Sequence, residues 1–230
     1  MHDLPDLTGA TIAFDLDGTL VDTAPDLVGA LNIVLGEAGL PALPYETARL
    51  MISHGARVLL ERGFAAAGEP LDSPRSDVLV DRFVKLYLGR IADESAPFPG
   101  AVEALTSLRE AGARLSVCTN KRTRLSVALL DALGLSPFFH AVVGADAVPA
   151  SKPDAGHLIT AIEQAGGEPS QAIFVGDSET DIATARNARL PIVAVTFGYT
   201  ETPCAEFEPD ALIESFAELP AAAARLLRRK

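Results

Sequence analysis

The chain has 230 residues, of which 48% are hydrophobic and 22% are charged, and its formal net charge at pH 7 is −12. This composition is typical of a globular protein with a buried core, and it argues against a disordered chain. The acidic excess opposes an extended nucleic-acid surface, because such a surface neutralises many phosphates with Lys and Arg side chains.

Cysteine content and hydropathy indicate the cellular setting. Two cysteines are too few for a disulfide framework, and the residues before Thr11 do not resemble a secretory signal. No stretch approaches the roughly 20 apolar residues that span a bilayer, so no membrane partner is expected. We therefore expect a cytoplasmic protein. We also expect it to be either a monomer or a homodimer.

Short apolar segments alternate with helical patterns along most of the chain. The predicted strands cover residues 11–14, 115–118, 141–143, 172–175, 192–195 and 211–213. Helical spacing of apolar residues before Gly112 and before Gly166 predicts two of the intervening helices. This alternation predicts an α/β fold with a parallel sheet covered by helices on both faces.

A long helical segment separates the first strand from the second. It is too long for a simple crossover, so we interpret residues 22–92 as a helical cap. The α/β core then comprises residues 1–21 and 93–230, with hinges near 20–23 and 93–99. Thr23 and Asp26 are suited to cap the first helix of this segment, and further helices are predicted at 45–52, 56–67 and 77–93.

Four short polar motifs follow predicted strands. They are Asp15-Leu16-Asp17-Gly18-Thr19, Thr119-Asn120-Lys121, Ser151-Lys152-Pro153-Asp154 and Gly176-Asp177-Ser178-Glu179-Thr180-Asp181. Each motif alone is also typical of a turn or of the start of a helix. Because loops at the carboxyl ends of parallel strands converge on one crevice, the ordered set predicts a single site.

The residue types in these motifs suit phosphoryl transfer. Asp15 is the candidate nucleophile, which would form an aspartyl phosphate, and Asp17 is the candidate general acid and then base. Lys152 would offset the charge of the transferring group. Thr119 and Asn120 follow a strand and would donate hydrogen bonds to phosphoryl oxygens, in company with backbone amides.

A third carboxylate, Asp177, completes a set of hard oxygen ligands that favours Mg²⁺ over zinc. The predicted ligands are Asp15, Asp177 and the backbone carbonyl of Asp17. Asp181 lies one helical turn beyond Asp177, which suits a residue that orients a metal-bound water or Lys152.

The four ordered motifs resemble those of the haloacid dehalogenase superfamily of phosphohydrolases. The resemblance spans nearly the whole chain, and it implies a Rossmann-like core, magnesium dependence and a helical cap that closes over the substrate. Residues 14–27 look like the opening of the phosphoglycolate phosphatases of this superfamily, and residues 54–57 resemble their cap loop. His54 and Arg57 are therefore candidate contacts for the leaving group.

The substrate implied by the resemblance is a small phosphorylated metabolite, with 2-phosphoglycolate the first to test. The same cap class also serves sugar-phosphate phosphatases, including those for amino-sugar phosphates, as well as β-phosphoglucomutases and pyrophosphatases. A phosphomutase would pass the phosphoryl group to a sugar hydroxyl instead of water. A binding module that responds to phosphate without turnover is the non-enzymatic alternative.

Overall fold

The computed structural model describes residues 5–228, apart from the side chains of residues 53, 54, 73 and 74. Its strands are β1 (Thr11–Phe14), β2 (Val21–Asp22), β3 (Ala96–Pro97), β4 (Arg114–Thr119), β5 (Ala141–Gly144), β6 (Ala172–Gly176), β7 (Ile192–Val195) and β8 (Ala211–Ile213). Its α-helices are α1 (Ala24–Glu37), α2 (Tyr45–Ala48), α3 (Gly55–Ala66), α4 (Ser73–Leu88), α5 (Ala101–Glu110), α6 (Thr123–Ala132), α7 (Ala155–Gln164), α8 (Glu179–Ala188) and α9 (Leu219–Leu227).

Six of the strands form one parallel sheet in the order β5-β4-β1-β6-β7-β8. Alternate side chains of β1 enter different cores, since Ile12 and Phe14 pack on one face while Ala13 packs on the other. A strand that is buried on both faces is typical of the centre of a parallel sheet. The predicted α/β fold is confirmed.

The segment between β2 and β3 is helical, and its apolar side chains form a separate cluster. The two short strands pair in antiparallel fashion, so the chain leaves the sheet and returns to it at adjacent points. The division of the chain into a core and a cap at residues 22–92 stays a prediction. Among residues 5–228, no helix combines the length and apolar character needed to cross a membrane.

The structure corrects the prediction that Thr23 and Asp26 cap α1. Thr23 occupies the N-cap position without a side-chain hydrogen bond to the helix, and its hydroxyl donates to Asp17 Oδ1 at 2.7 Å. Asp26 is fully buried, and its Oδ2 accepts from the backbone nitrogens of Glu94 and Ser95 at 3.0 and 2.8 Å. Both side chains are used by tertiary contacts that local sequence does not reveal.

Two other predicted helices have different bounds. The predicted helix at 45–52 is the four-residue α2 followed by a 3-10 helix, Arg49–His54. The predicted helix at 77–93 begins earlier, at Ser73, because the Asp72 carboxylate accepts from the backbone nitrogen of Arg75. It also ends earlier, at Leu88, and the chain that follows turns back toward Asp26.

A buried histidine supports the loop that carries Lys152. His157 lies on α7, and its Nδ1 accepts from the Lys152 backbone nitrogen at 3.2 Å. With Nδ1 accepting, the ring proton sits on Nε2, which donates to the carbonyl oxygen of Val143 at 3.0 Å. Burial and the nearby Lys152 ammonium lower the pKa of His157, which favours the neutral ring that the accepting Nδ1 requires.

We expect Asp26→Asn to lower the free energy of unfolding by about 3 kcal/mol. The carboxylate oxygen Oδ2 accepts several hydrogen bonds, and the amide of Asn would either place an NH2 donor against those donors or leave some of them unpaired. Urea denaturation checks this value. Asp81→Asn, on an exposed part of α4, should change stability by less than about 0.5 kcal/mol. Equal losses of unfolding free energy in the two variants would contradict the stabilising role of Asp26.

The pH dependence of stability should contain a contribution from His157. Its pKa is lower in the folded state than the ordinary 6.5, so the unfolded chain binds the proton first as the pH falls. His157 should therefore contribute a loss of stability below about pH 6.5, of at most about 1.4 kcal/mol per pH unit, while the raised pKa values of Asp15 and Asp177 act in the opposite direction. In urea denaturation, the unfolding free energy of the wild type minus that of His157→Gln should be smaller at pH 5.5 than at pH 7.5. An equal difference at the two pH values would refute the contribution of His157.

Candidate active site

Asp15 lies at the carboxyl end of β1, in the middle of the sheet. Its backbone nitrogen continues the sheet pairing by donating to the carbonyl oxygen of Val175 at 2.9 Å. Its side chain is nearly buried, and Oδ1 lies 2.9 Å from Lys152 Nζ. The end of the strand thus presents a carboxylate beside a positive charge.

A tight turn after Asp15 brings the rest of the first motif to the same edge. Gly18 has a φ of +81°, and a Cβ at this position would lie 2.6 Å from Asp177 Oδ2, so a larger residue does not fit. The next residue, Thr19, donates its hydroxyl hydrogen to Asp177 Oδ1 at 2.8 Å. The first and fourth motifs are therefore in direct contact.

Lys152 also bridges the first and fourth motifs. Its Nζ lies 2.7 Å from Asp181 Oδ1 as well as 2.9 Å from Asp15 Oδ1. Burial alone would lower the pKa of Lys152, but the two carboxylates outweigh burial and raise it. The other Asp181 oxygen accepts from Ser178 Oγ at 2.6 Å and from two backbone nitrogens at the start of α8. Asp181 thus holds Lys152 and the helix start together.

Three buried carboxylates form a cluster that suits a cation. Asp15, Asp177 and Asp181 each offer one oxygen, and these atoms lie within 4.8 Å of one another. Burial, reinforced by neighbouring carboxylates, raises the pKa of Asp15 to about 6 and that of Asp177 to about 8. A divalent cation would relieve this repulsion, and a set of carboxylate oxygens suits a hard cation. The Asp17 carbonyl stays a predicted ligand.

The second motif lies at the end of β4, which flanks β1 on the side opposite to β6. Thr119 is buried, and its Oγ1 accepts from the Lys121 backbone nitrogen at 3.2 Å. Asn120 Nδ2 donates to the Lys152 carbonyl oxygen at 3.3 Å, which joins the second and third motifs. The fold brings Asp15, Thr119, Asn120, Lys152 and Asp177 together, whereas their individual roles stay predictions.

Lys121 is a site residue for which the sequence analysis assigned no role. Its Nζ lies 2.8 Å from both carboxylate oxygens of Asp17, although the two residues are 104 positions apart. The same nitrogen lies 4.6 Å from the centre of the Tyr87 ring of α4. Asp17 and Tyr87 raise the pKa of Lys121 despite its burial. Its place in a loop directly after a strand was the available signal.

Tyr199 is a second residue that the sequence analysis missed. Its backbone nitrogen donates to Asp177 Oδ2 at 2.9 Å, while its hydroxyl donates to Asp22 in β2. The hydroxyl oxygen also accepts from the Ala24 backbone nitrogen at 3.0 Å. Tyr199 therefore connects the carboxylate cluster, through its backbone nitrogen, with the start of the helical segment, through its buried side chain.

A cavity of about 210 Å³ opens beside Asp17 and Lys121, between the sheet edge and the helical segment. Gly55 at the start of α3 approaches closely, since a Cβ there would lie 3.3 Å from the Asn120 carbonyl oxygen. Arg57 lines the cavity, but its guanidinium group is exposed and pairs with Asp77. The His54 side chain lies outside the described residues, so its predicted substrate contact stays untested.

Comparison with known proteins agrees with this arrangement. Residues 12–195 match the family described as haloacid dehalogenase-like hydrolase. A phosphoglycolate phosphatase of Caulobacter vibrioides is 60% identical over 227 residues, covering 99% of this chain and 96% of the relative. One from Agrobacterium fabrum is 47% identical over 206 residues, with 90% and 88% covered.

A solved structure extends the similarity to the fold. The crystal structure of a predicted phosphoglycolate phosphatase from Haemophilus somnus is 31% identical, with a TM-score of 0.85, and the match covers 93% of this chain and 96% of that one. The family match spans more than half of the chain and includes all four motifs. The chain therefore belongs to the haloacid dehalogenase-like hydrolases.

Proposed function

We propose that this protein is a magnesium-dependent phosphatase that hydrolyses 2-phosphoglycolate through an aspartyl phosphate. The choice of substrate rests on the 60% identity, over nearly the whole of both chains, to a protein named phosphoglycolate phosphatase. The mechanism is supported by Asp15 and Asp17, two carboxylates that meet different lysines at the same sheet edge. They can therefore perform different tasks.

In the first step, a carboxylate oxygen of Asp15 attacks phosphorus and the bond from phosphorus to the ester oxygen breaks. Asp17 donates a proton to that oxygen, and glycolate leaves. Lys152 offsets the negative charge on the transferring group, and Thr119 and Asn120 donate hydrogen bonds to its oxygens. In the second step, a water molecule gives a proton to Asp17 and attacks phosphorus, which releases phosphate and restores Asp15.

The residues around Asp15 are suited to hold Mg²⁺. Asp15, Asp177 and the carbonyl oxygen of Asp17 would be its protein ligands, and Asp181 would hold Lys152 in place through their 2.7 Å contact. Bound Mg²⁺ supplies positive charge that offsets the repulsion between the carboxylates and the substrate phosphate. The raised pKa of Asp177, about 8, indicates how unfavourable its negative charge is without a cation.

Asp15→Asn should reduce phosphate release from 2-phosphoglycolate by at least roughly 1,000-fold, because the amide is a poor nucleophile of nearly the same shape. The measurement is kcat/KM with Mg²⁺ for 2-phosphoglycolate, hexose phosphates, amino-sugar phosphates and pyrophosphate. Asp81→Asn is the matched control and should retain wild-type activity. Wild-type protein should prefer 2-phosphoglycolate.

Other results would reassign the function in distinct ways. Preference for a sugar phosphate would retain the chemistry and replace the substrate, whereas an isomerised sugar phosphate would identify a phosphomutase. Tight binding without turnover of any compound would favour the binding module. Phosphate release at an unchanged rate by folded Asp15→Asn would remove Asp15 as the nucleophile.

Mg²⁺ affinity should fall by at least roughly tenfold in Asp177→Asn, because one anionic ligand is lost. Calorimetric titration with Mg²⁺ in the absence of substrate measures this affinity without relying on turnover. Asp81→Asn should bind Mg²⁺ like the wild type. Equal affinities in Asp177→Asn and the wild type would contradict the assignment of Asp177 as a ligand.

A further inference from the structure

Lys121 provides positive charge where the cavity meets Asp17. Its side chain is only 5% exposed, and its Nζ contacts both Asp17 oxygens at 2.8 Å. Both residues line the cavity of about 210 Å³. A ligand that enters this space therefore meets the ion pair formed by Asp17 and Lys121, and not an isolated carboxylate.

The other cationic groups near the cavity are either held by other carboxylates or exposed, and Arg122, which also lines the cavity, is exposed. Lys152 is held between Asp15 and Asp181, on the side of the nucleophile. Arg57 is 47% exposed and pairs with Asp77 of α4. Lys121 is thus the buried ammonium group, within the described chain, that borders the cavity and contacts the candidate acid.

The ion pair has a consequence for proton transfer. Thr23 Oγ1 donates to Asp17 Oδ1 at 2.7 Å, in addition to the two contacts from Lys121. An oxygen that delivers a proton to a leaving group must face that group and not an ammonium hydrogen. Asp17 Oδ2 has Lys121 as its hydrogen-bond partner among the described residues, so it becomes available when Lys121 moves to another anion.

We propose that Lys121 recognises a carboxylate on the leaving group and exchanges Asp17 for that carboxylate. Asp17, no longer paired with the ammonium group, takes up a proton from solvent and donates it to the ester oxygen. This inference rests on the proposed phosphatase function and defines its substrate class: phosphate esters of 2-hydroxycarboxylic acids. In such esters the carboxylate is attached to the carbon that bears the ester oxygen. Lys121 therefore contacts an anion adjacent to the oxygen that Asp17 must reach.

The surroundings of Lys121 suit such an exchange. The Tyr87 ring, 4.6 Å from Nζ, attracts the ammonium group independently of which carboxylate it binds. The side of the cavity that the helical segment forms is mainly apolar, with Leu59, Val80 and Phe83 in its wall. Sugar hydroxyl groups against these side chains would lose hydrogen bonds to water, which disfavours a polyhydroxylated leaving group.

The exchange predicts selectivity in the chemical step as well as in binding. A substrate without the carboxylate leaves Lys121 on Asp17, so protonation of the ester oxygen is slowed even when the substrate is bound. Wild-type protein should therefore show a higher kcat, and not only a lower KM, for 2-phosphoglycolate than for 2-hydroxyethyl phosphate. These compounds differ by a carboxylate in place of a hydroxymethyl group.

The test compares both substrates in the wild type and in Lys121→Met, with Mg²⁺ present. The wild type should favour 2-phosphoglycolate by at least roughly tenfold in kcat/KM, as expected for a hydrogen-bonded charge pair. Lys121→Met should lose most of this preference, because it binds 2-phosphoglycolate more weakly and because Asp17 is no longer held by Lys121 when 2-hydroxyethyl phosphate is bound. Lys85→Met removes one exposed lysine from α4 and should leave the preference unchanged.

The outcomes separate this inference from the proposed function. Phosphoglycolate turnover with an undiminished preference in folded Lys121→Met would overturn the role of Lys121 and leave the phosphatase function intact. Absence of phosphoglycolate turnover in the wild type would overturn both. If Lys121→Met does not fold, single-turnover phosphorylation of the wild type decides: equal maximal rates for the two substrates would refute the exchange, and a faster rate with 2-phosphoglycolate would support it.

Discussion

The pairing of buried charges at the carboxyl edge of the sheet constrains the structure around it. Carboxylates that are removed from water are costly unless cations or hydrogen-bond donors compensate them. Lys152 meets two of these carboxylates, Asp15 and Asp181, while Asp177 accepts from Thr19 and from a backbone nitrogen. These contacts require β1 and β6 to lie side by side, as their parallel pairing provides. The α8 helix start is held by the same group of contacts.

The helical segment is tied to this edge by buried polar contacts on both connections. Tyr199 reaches from Asp177 to Asp22, on the outgoing connection. Asp26 accepts from the backbone of the returning connection at Ser95. Because an unpaired buried carboxylate is unfavourable, Asp26 restrains where the first helix of the segment can sit. The wall of the cavity is consequently positioned relative to the reacting carboxylates, and Tyr87 of α4 reaches Lys121.

Lys152 and Lys121 show which side-chain contacts a sequence pattern predicts and which it does not. Lys152 stands in a motif whose order relative to the other motifs already indicated phosphate chemistry, and it lies between Asp15 and Asp181. Lys121 stands in an equally short motif and received no role, although its contacts with Asp17 are as close. A lysine after a strand is usually solvated, so only the approach of Asp17 and Tyr87 distinguishes this one.

The sequence by itself determined the alternation of strands and helices, the helical insertion after the first strand and the order of the four motifs. Those features depend on the period of apolar residues and on turn residues, which act over a few positions along the chain. Tertiary structure alone decided that Thr23 contacts Asp17, that Asp26 holds the returning chain and that Lys121 borders the cavity. Two of these contacts, Asp26 with Ser95 and Lys121 with Asp17, join residues 69 and 104 positions apart. Partners so far apart in the chain are selected by packing and by the need to pair buried charges, and no local pattern encodes that choice.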